Sequence, residues 1–280
     1  MKIDAHQHYW DPARGDYGWL TPELSALYRV FGPDDLKPLR EAVNVECTVA
    51  VQAAPTVDET RYLLKLARSE ESIAGVVGWV PLDAPDAPAL IEKLARDPKF
   101  KGVRPMLQDL PDDRWIETAP IEPAIQKLIE LDLAFDALVF ARHVPSLLAF
   151  AKRYPELRIV VDHGAKPPIR DGAAGWQPWA DAIEQLAALP QKPYCKLSGL
   201  VTEAAPNCDD KILEPYVEHL LENFGAQRLM WGSDWPVLNL NGDYAGWHDA
   251  ACALCARDPD LKNTDEEAIF GANARAFYRL

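Results

Sequence analysis

A chain of 280 residues with 48% apolar composition is long enough to bury one large core or two small ones. Its 43 acidic and 29 basic residues leave a net charge of −14, which argues against nucleic acid or an anionic membrane as a partner, because binding phosphate needs a cationic footprint. No basic N-terminal region leads into an apolar run, and no apolar stretch approaches the ~18 residues a bilayer demands, so the expectation is a soluble, cytoplasmic protein.

In chain order, "KIDAHQH", "VECTVAVQA", "AGVVGWV", "KGVRPML", "LAFDALV", "LRIVVDH", "PYCKLSG" and "RLMWGSDW" read as strands, each apolar with a β-branched or aromatic centre. Helical patterns lie between them. "TVDETRYLLKLAR" opens with a capping box from Thr56 to Glu59, and "IEPAIQKLIEL" sets Ile121, Ile125, Leu128 and Ile129 on one face. Eight strands alternating with helices, with no repeat, low-complexity tract or linker, predict one α/β domain over residues 1–280: a (β/α)8 TIM barrel. The five cysteines, Cys47, Cys195, Cys208, Cys252 and Cys255, are odd in number and scattered, which suits reduced thiols. "CALC" lies in an alanine-rich helical stretch without a second pair and is not expected to bind metal.

Loop lengths point to the working end. Segments after strands are long and rich in Gly, Pro and Trp, such as "YWDPARGDYGWLTPEL", "GAKPPIRDGAAGWQP", "GLVTEAAPNCDD" and "PVLNLNGDYAG", whereas returns from helix to strand are brief. Barrels of this kind carry their chemistry on the loops that follow the strands. At those ends stand His6 and His8, one residue apart and therefore on one face of a strand, with Arg104, Asp136, His163, Lys196 and Asp234. An apolar barrel interior would not otherwise tolerate such a polar ring. For Arg104, Asp136 and Lys196 the alternative is an ion-pair network that only holds the barrel mouth together. His143, His219 and His248 fall in helical or loop contexts and are read as structural. Tyr9, Trp10, Trp19, Trp79 and Trp235 lie near strand ends, where an aromatic face can stack on a sugar ring or simply pack, and Lys166, Asn239 and Asn241 are candidates to read hydroxyls.

"HQH" ending the first strand, "VDHGAKP" ending the sixth and "GSDWP" ending the eighth resemble the amidohydrolase superfamily, and within it the amidohydrolase 2 group that includes sugar-acid lactonases. The resemblance spans nearly the whole chain, and "DAHQHYWDP" with "YGWL" is most like the fuconolactonase and rhamnonolactonase branch. It implies that His6, His8, His163 and Asp234 bind one divalent cation, zinc or manganese, or act without any metal, with Asp234 handling the hydrolytic proton. Two-metal members carry a bridging carboxylated lysine or glutamate on the fourth strand and a histidine on the fifth. This chain offers Arg104 and Asp136 there, so a binuclear site is not expected.

The resulting expectation is an enzyme that opens a sugar-acid lactone such as fucono- or rhamnonolactone. Asp234 is its general base, with His6, His8 and His163 as catalytic partners, and Arg104, Asp136, Lys196, Trp10, Trp235 and Lys166 bind substrate. A metal-dependent decarboxylase of the same superfamily, a pyrone dicarboxylate lactonase and a non-catalytic sugar-acid-binding barrel are the alternatives. The sequence has no G-x-S-x-G elbow, no P-loop and no G-x-G-x-x-G fingerprint, so serine acyl-enzyme and nucleotide chemistry lack their usual signatures. Oligomeric state is left open.

Overall fold

The computed structural model describes residues 1–206 and 209–280. All eight expected strands are present: β1 (Lys2–Gln7), β2 (Val45–Val51), β3 (Ile73–Gly78), β4 (Phe100–Val103), β5 (Ala134–Ala137), β6 (Arg158–Val161), β7 (Tyr194–Leu197) and β8 (Leu229–Trp231). Each is parallel to the next in sequence order, with helices between them, giving the (β/α)8 barrel. The strands are shorter than their apolar runs because the last residues of each run leave the ladder to form the mouth. The ring is completed beyond β8, where the Asp234 amide donates to the His6 carbonyl at 2.8 Å and the His8 amide to the Trp235 carbonyl at 2.7 Å. Gly232 permits this approach, since a Cβ there would lie 2.7 Å from His6 Cβ.

Inside the barrel, Ile3, Ala5, Val49, Val51, Val77, Ala134, Val160 and Met230 form a compact apolar plug over Phe277 and Tyr278 of the C-terminal helix Asn273–Tyr278. Strict alternation from Ile3 and Ala5 would turn His6 away from this interior. A register shift between Asp4 and Gln7 against β2 restores it, so a bulge, not simple period two, aims His6 inward. Asp4 faces the other way and anchors the seam, accepting from the Ser233 amide (2.9 Å), the Ser233 hydroxyl (2.6 Å) and the Tyr244 hydroxyl (2.9 Å).

The helix Val57–Ser69 begins where expected, with the Thr56 hydroxyl accepting from the Glu59 amide at 3.1 Å. The second half of the expected capping box is not made, because the Glu59 side chain turns to the Ala53 amide instead, at 2.8 Å. Ile121, Ile125 and Leu128 are buried as their spacing requires. Cys252 and Cys255 are free thiols in the helix Tyr244–Cys255, whereas Cys208 and part of its loop lie outside the described residues. Among the described residues, no helix is long and apolar enough to cross a membrane.

Candidate active site

The mouth of the barrel holds a cleft of about 210 Å³ lined by His8, Trp19, Ala53, Arg104, Met106, Gln108, Asp109, Leu138, His163, Lys166, Asp234 and Val237. His6, fully buried, lies directly behind the lining, its Nε2 3.2 Å from that of His8. Three of these residues, Lys166 (φ +50°) among them, owe their position to unusual backbone. His163 (φ +53°) and Asp234 (φ +57°) both occupy the left-handed region, which costs a non-glycine residue roughly 1 kcal/mol or more and which folded proteins concentrate at functional sites. Gly199, with φ +68°, leaves room for the His163 ring, since a Cβ there would meet its Cγ at 2.7 Å.

Asp234 is the hub. Its Oδ1 lies 3.3 Å from His8 Nε2, 3.7 Å from His6 Nε2 and 3.8 Å from His163 Nε2. His8 donates from Nδ1 to the Val51 carbonyl at 2.7 Å, which turns its Nε2 toward the cluster. His163 Nδ1 is paired with the Ser198 hydroxyl at 2.8 Å. Although burial opposes ionisation, His163, His8 and His6 hold the Asp234 carboxyl below the usual carboxylate range. Burial pulls His163 down to about 4, and burial together with the Lys196 charge keeps His6 well below its ordinary value. At neutral pH the site therefore presents an ionised Asp234 carboxylate beside the neutral imidazoles of His6 and His163.

Beneath it runs a buried charge network. Lys196 Nζ lies 2.6 Å from Asp136, 2.9 Å from Asp162 and 3.1 Å from His6 Nδ1, while Arg104 Nη1 reaches Asp162 at 3.3 Å. The Tyr278 hydroxyl donates to Asp136 at 2.7 Å. Against burial, Lys196, His6 and Arg104 hold Asp162 well below the carboxylate range, whereas burial pushes Asp136 up to about 6 despite Lys196.

Several sequence expectations need correction. Asp136 and Lys196, expected to bind substrate, are fully buried beneath His6 and do not line the cleft. Trp10 is fully buried: the loop after β1 folds back through a Trp10–Phe31 backbone pair, and the indole packs edge-on to Phe31 at 5.6 Å while its Nε1 serves the carbonyls of Leu27 and Arg29. Trp235 is equally buried, against Phe31 and Tyr9. The aromatic that reaches the cleft is Trp19, and Trp79 faces a neighbouring groove. Asn241 braces the loop after β7 through the Val201 carbonyl, and Asn239 is outside the cleft lining. Arg104 and Lys166 are where expected, Lys166 bridging Gln108 (3.2 Å) and Glu203 (3.1 Å) at the rim.

Asp162 was missed, as were Gln108, Asp109 and Ser198. Asp162 precedes His163, and alternation would place the two on opposite faces. β6 ends at Val161, however, and the turn Asp162–Ala165 brings both to the interior. His143, His219 and His248 make local contacts away from the cleft, as expected.

His6, His163 and Asp234 form, among the described residues, a group whose donor atoms all lie within 4.8 Å of one another. His8 stands beside it. A tetrahedral ion about 2.0–2.2 Å from its ligands sets them roughly 3.3–3.6 Å apart, close to the 3.7 and 3.8 Å found from Asp234 to His6 and His163, so the set fits one divalent cation. His6 must adjust to hold it. Its Nδ1 lies 3.1 Å from Lys196 Nζ and 3.5 Å from Asp162, and its Nε2 lies 3.4 Å from Arg104 Nη1; ligation through Nε2 requires Arg104 to give up that contact and the ring proton to sit on Nδ1, facing Asp162.

A parallel eight-stranded barrel with a histidine–aspartate cluster at the C-terminal ends of its strands defines an enzyme of the amidohydrolase class. The amidohydrolase family model matches residues 3–280, and the chain belongs to that family. It is 53% identical to an L-fucono-1,5-lactonase of Burkholderia ambifaria, over 100% of this chain and 96% of that protein. An L-fucono-1,5-lactonase of Burkholderia multivorans is 38% identical at the same coverage. A crystal structure of an amidohydrolase from Burkholderia multivorans with bound zinc superposes with a TM-score of 0.93 at 37% identity, covering 100% of this chain and 99% of that one.

Proposed function

We propose that this protein hydrolyses sugar-acid lactones, L-fucono-1,5-lactone among them, with Asp234 as general base. The observation that carries the reading is an ionised, buried carboxylate at the centre of three imidazoles, opening on a small cleft of mixed polarity. Full-length identity of 53% to an L-fucono-1,5-lactonase supports the substrate class.

A water on Asp234 loses its proton to the carboxylate as it attacks the lactone carbonyl. Negative charge grows on the carbonyl oxygen, where Arg104, one of the two cations lining the cleft with Lys166, can meet it, a contribution of about 3 kcal/mol for one preorganised donor. Asp234 then returns its proton to the ring oxygen as the C–O bond breaks. Lys166, Gln108 and Asp109 are placed to read hydroxyls, and Trp19, Leu138 and Val237 offer apolar walls for the sugar's C–H faces and methyl group. A divalent cation held by His6, His163 and Asp234, with His8 beside them, supplies Lewis-acid polarisation of the carbonyl or of water when bound.

At most one such ion binds per chain. The ends of β4 and β5, where a second ion would need bridging ligands, carry a cationic Arg104 and an Asp136 already held by Lys196 and Tyr278. Elemental analysis after dialysis against zinc should return no more than one equivalent; two stoichiometric ions would refute the single-site reading.

The cleft also discriminates among lactones. A dicarboxylate asks for paired guanidinium clamps, and neither loop arginine is available: Arg14 is paired with Asp16 at 2.5 Å, and Arg170 donates to the Thr202 carbonyl at 2.8 Å. Six-carbon and 6-deoxy aldonolactones should therefore exceed pyrone dicarboxylate lactones by at least about tenfold in kcat/KM, roughly 1.4 kcal/mol. A panel of aldonolactones, a pyrone dicarboxylate and aromatic carboxylates, followed by acid release and carbon dioxide loss, tests this, and the reverse ranking or decarboxylation would overturn it.

A further inference from the structure

Glu59 is a fully buried carboxyl for which, among the described residues, no ion-pair partner within 4 Å is found. Its Oε1 accepts from the Ala53 amide at 2.8 Å, and its Oε2 is buried without a hydrogen-bond partner. Burying an ionisable group this way is expensive, and the carboxyl is pushed up to about 8 by burial. Nothing in helix capping requires it, since Thr56 alone already caps the helix.

What the carboxyl holds gives it a purpose. The last ladder bond of this edge runs from the Gln52 amide to the Val77 carbonyl at 2.8 Å, so Ala53 is the first residue beyond the sheet. Three successive carbonyls at this exit then grip three walls of the cleft. Val51 takes His8 Nδ1 at 2.7 Å, Gln52 takes Arg104 Nη2, and Ala53 takes Trp19 Nε1 at 2.7 Å. Gln52 Nε2 returns a bond to the Arg104 carbonyl at 2.8 Å, closing a two-way clasp. With the sheet ended, Glu59 replaces the missing strand neighbour for the Ala53 amide.

We propose that Glu59 is a positioning residue for the lactone-opening reaction: it fixes the exit of β2 so that the carbonyls of Val51, Gln52 and Ala53 set His8, Arg104 and Trp19 around the substrate. This rests on the hydrolase reading above for its kinetic consequence, but the geometry can be followed without turnover. The requirement is an acceptor at glutamate's reach, not a charge. Glutamine keeps that acceptor, aspartate keeps the charge but withdraws the oxygen by one methylene, and alanine removes both.

The test compares Glu59→Gln, Glu59→Asp and Glu59→Ala in the full chain, well below the lowest Tm of the set. Misplacement of catalytic groups by about 1 Å can cost up to ~10²-fold, so Asp and Ala should lose at least about tenfold in kcat/KM while Gln stays within about threefold. In 15N-edited spectra of histidine-labelled protein, the hydrogen-bonded His8 Nδ1–H signal should persist in Gln and be lost or exchange-broadened in Asp and Ala. Lower Tm with unchanged kcat/KM and unchanged imidazole signals in Asp and Ala would reduce Glu59 to a packing role and overturn the proposal. Gln failing as badly as Ala would overturn it as well, by showing that charge is what matters. If Ala does not fold, Asp against Gln decides. A wild-type protein inert on every lactone would sink the hydrolase reading alone, with the His8 signal still deciding the role of Glu59.

Discussion

Asp234→Asn should lower kcat by at least about 10³-fold, some 4 kcal/mol of transition-state stabilisation, while the variant melts cooperatively with the barrel intact. In the proposed mechanism the carboxylate oxygen that faces three imidazole Nε2 atoms accepts the water's proton, and an amide oxygen of the same shape is too weak a base to take it. The fold should survive, because the backbone of residue 234 is held by its own amide on the His6 carbonyl and not by the side chain. Steady-state turnover of fuconolactone by a variant with wild-type circular dichroism is the measurement. Activity within tenfold of wild type would move the role of base to another group, and His163 would be the next to examine.

Lys196→Met should be the most destabilising of the single substitutions considered, by about 3–5 kcal/mol near pH 7.5, because it leaves Asp136 and Asp162 buried without their shared cation. The loss depends on pH with a definite sign. In the wild type Asp162 is depressed, so its contribution is present above the ordinary carboxylate range and is lost only as pH falls below it; Asp136, raised to about 6, erodes stability as pH climbs toward that value. Without Lys196 both carboxyls move upward, Asp136 the more, since Arg104 stays 3.3 Å from Asp162. The folded variant then binds more protons than its unfolded chain, and its stability must grow as pH falls. The Tm gap between variant and wild type should be widest at pH 8 and narrow toward pH 5 by calorimetry. A gap that is absent, or constant across that range, would show that Lys196 does not neutralise the pair.

The sequence was most legible where one physical rule decides. Parallel strands buried on both faces read as near-continuous apolar runs with β-branched or aromatic centres, and every such run proved to hold a strand. His6, His8, His163 and Asp234 were found because polar groups ending apolar strands need a reason, and the structure brings all four together. Where two rules compete, the reading failed. Trp10 and Trp235 look like sugar platforms until the loop after β1 is seen to close over them, a fact held in the tertiary path and not in the dipeptides. Asp162 was hidden because a left-handed turn overrides alternation, and Glu59 passed for a capping residue because its own motif offered a cheaper partner than the one it takes. Aspartate at position 162 did carry a signal: a charged residue directly before a site histidine in an otherwise apolar run has no apolar reason to be there.

The seam between β1 and the chain beyond β8 also sets how the protein comes to life. His8 and Asp234 are 226 positions apart, yet each contributes a backbone amide to the contact that completes the ring. Half-barrels and truncated chains, even if compact, would carry the histidine pair without its carboxylate or the carboxylate without its histidines. The cluster of three imidazoles on one carboxylate therefore exists only where the ring is closed, and the two ends of the sequence meet in one structural feature.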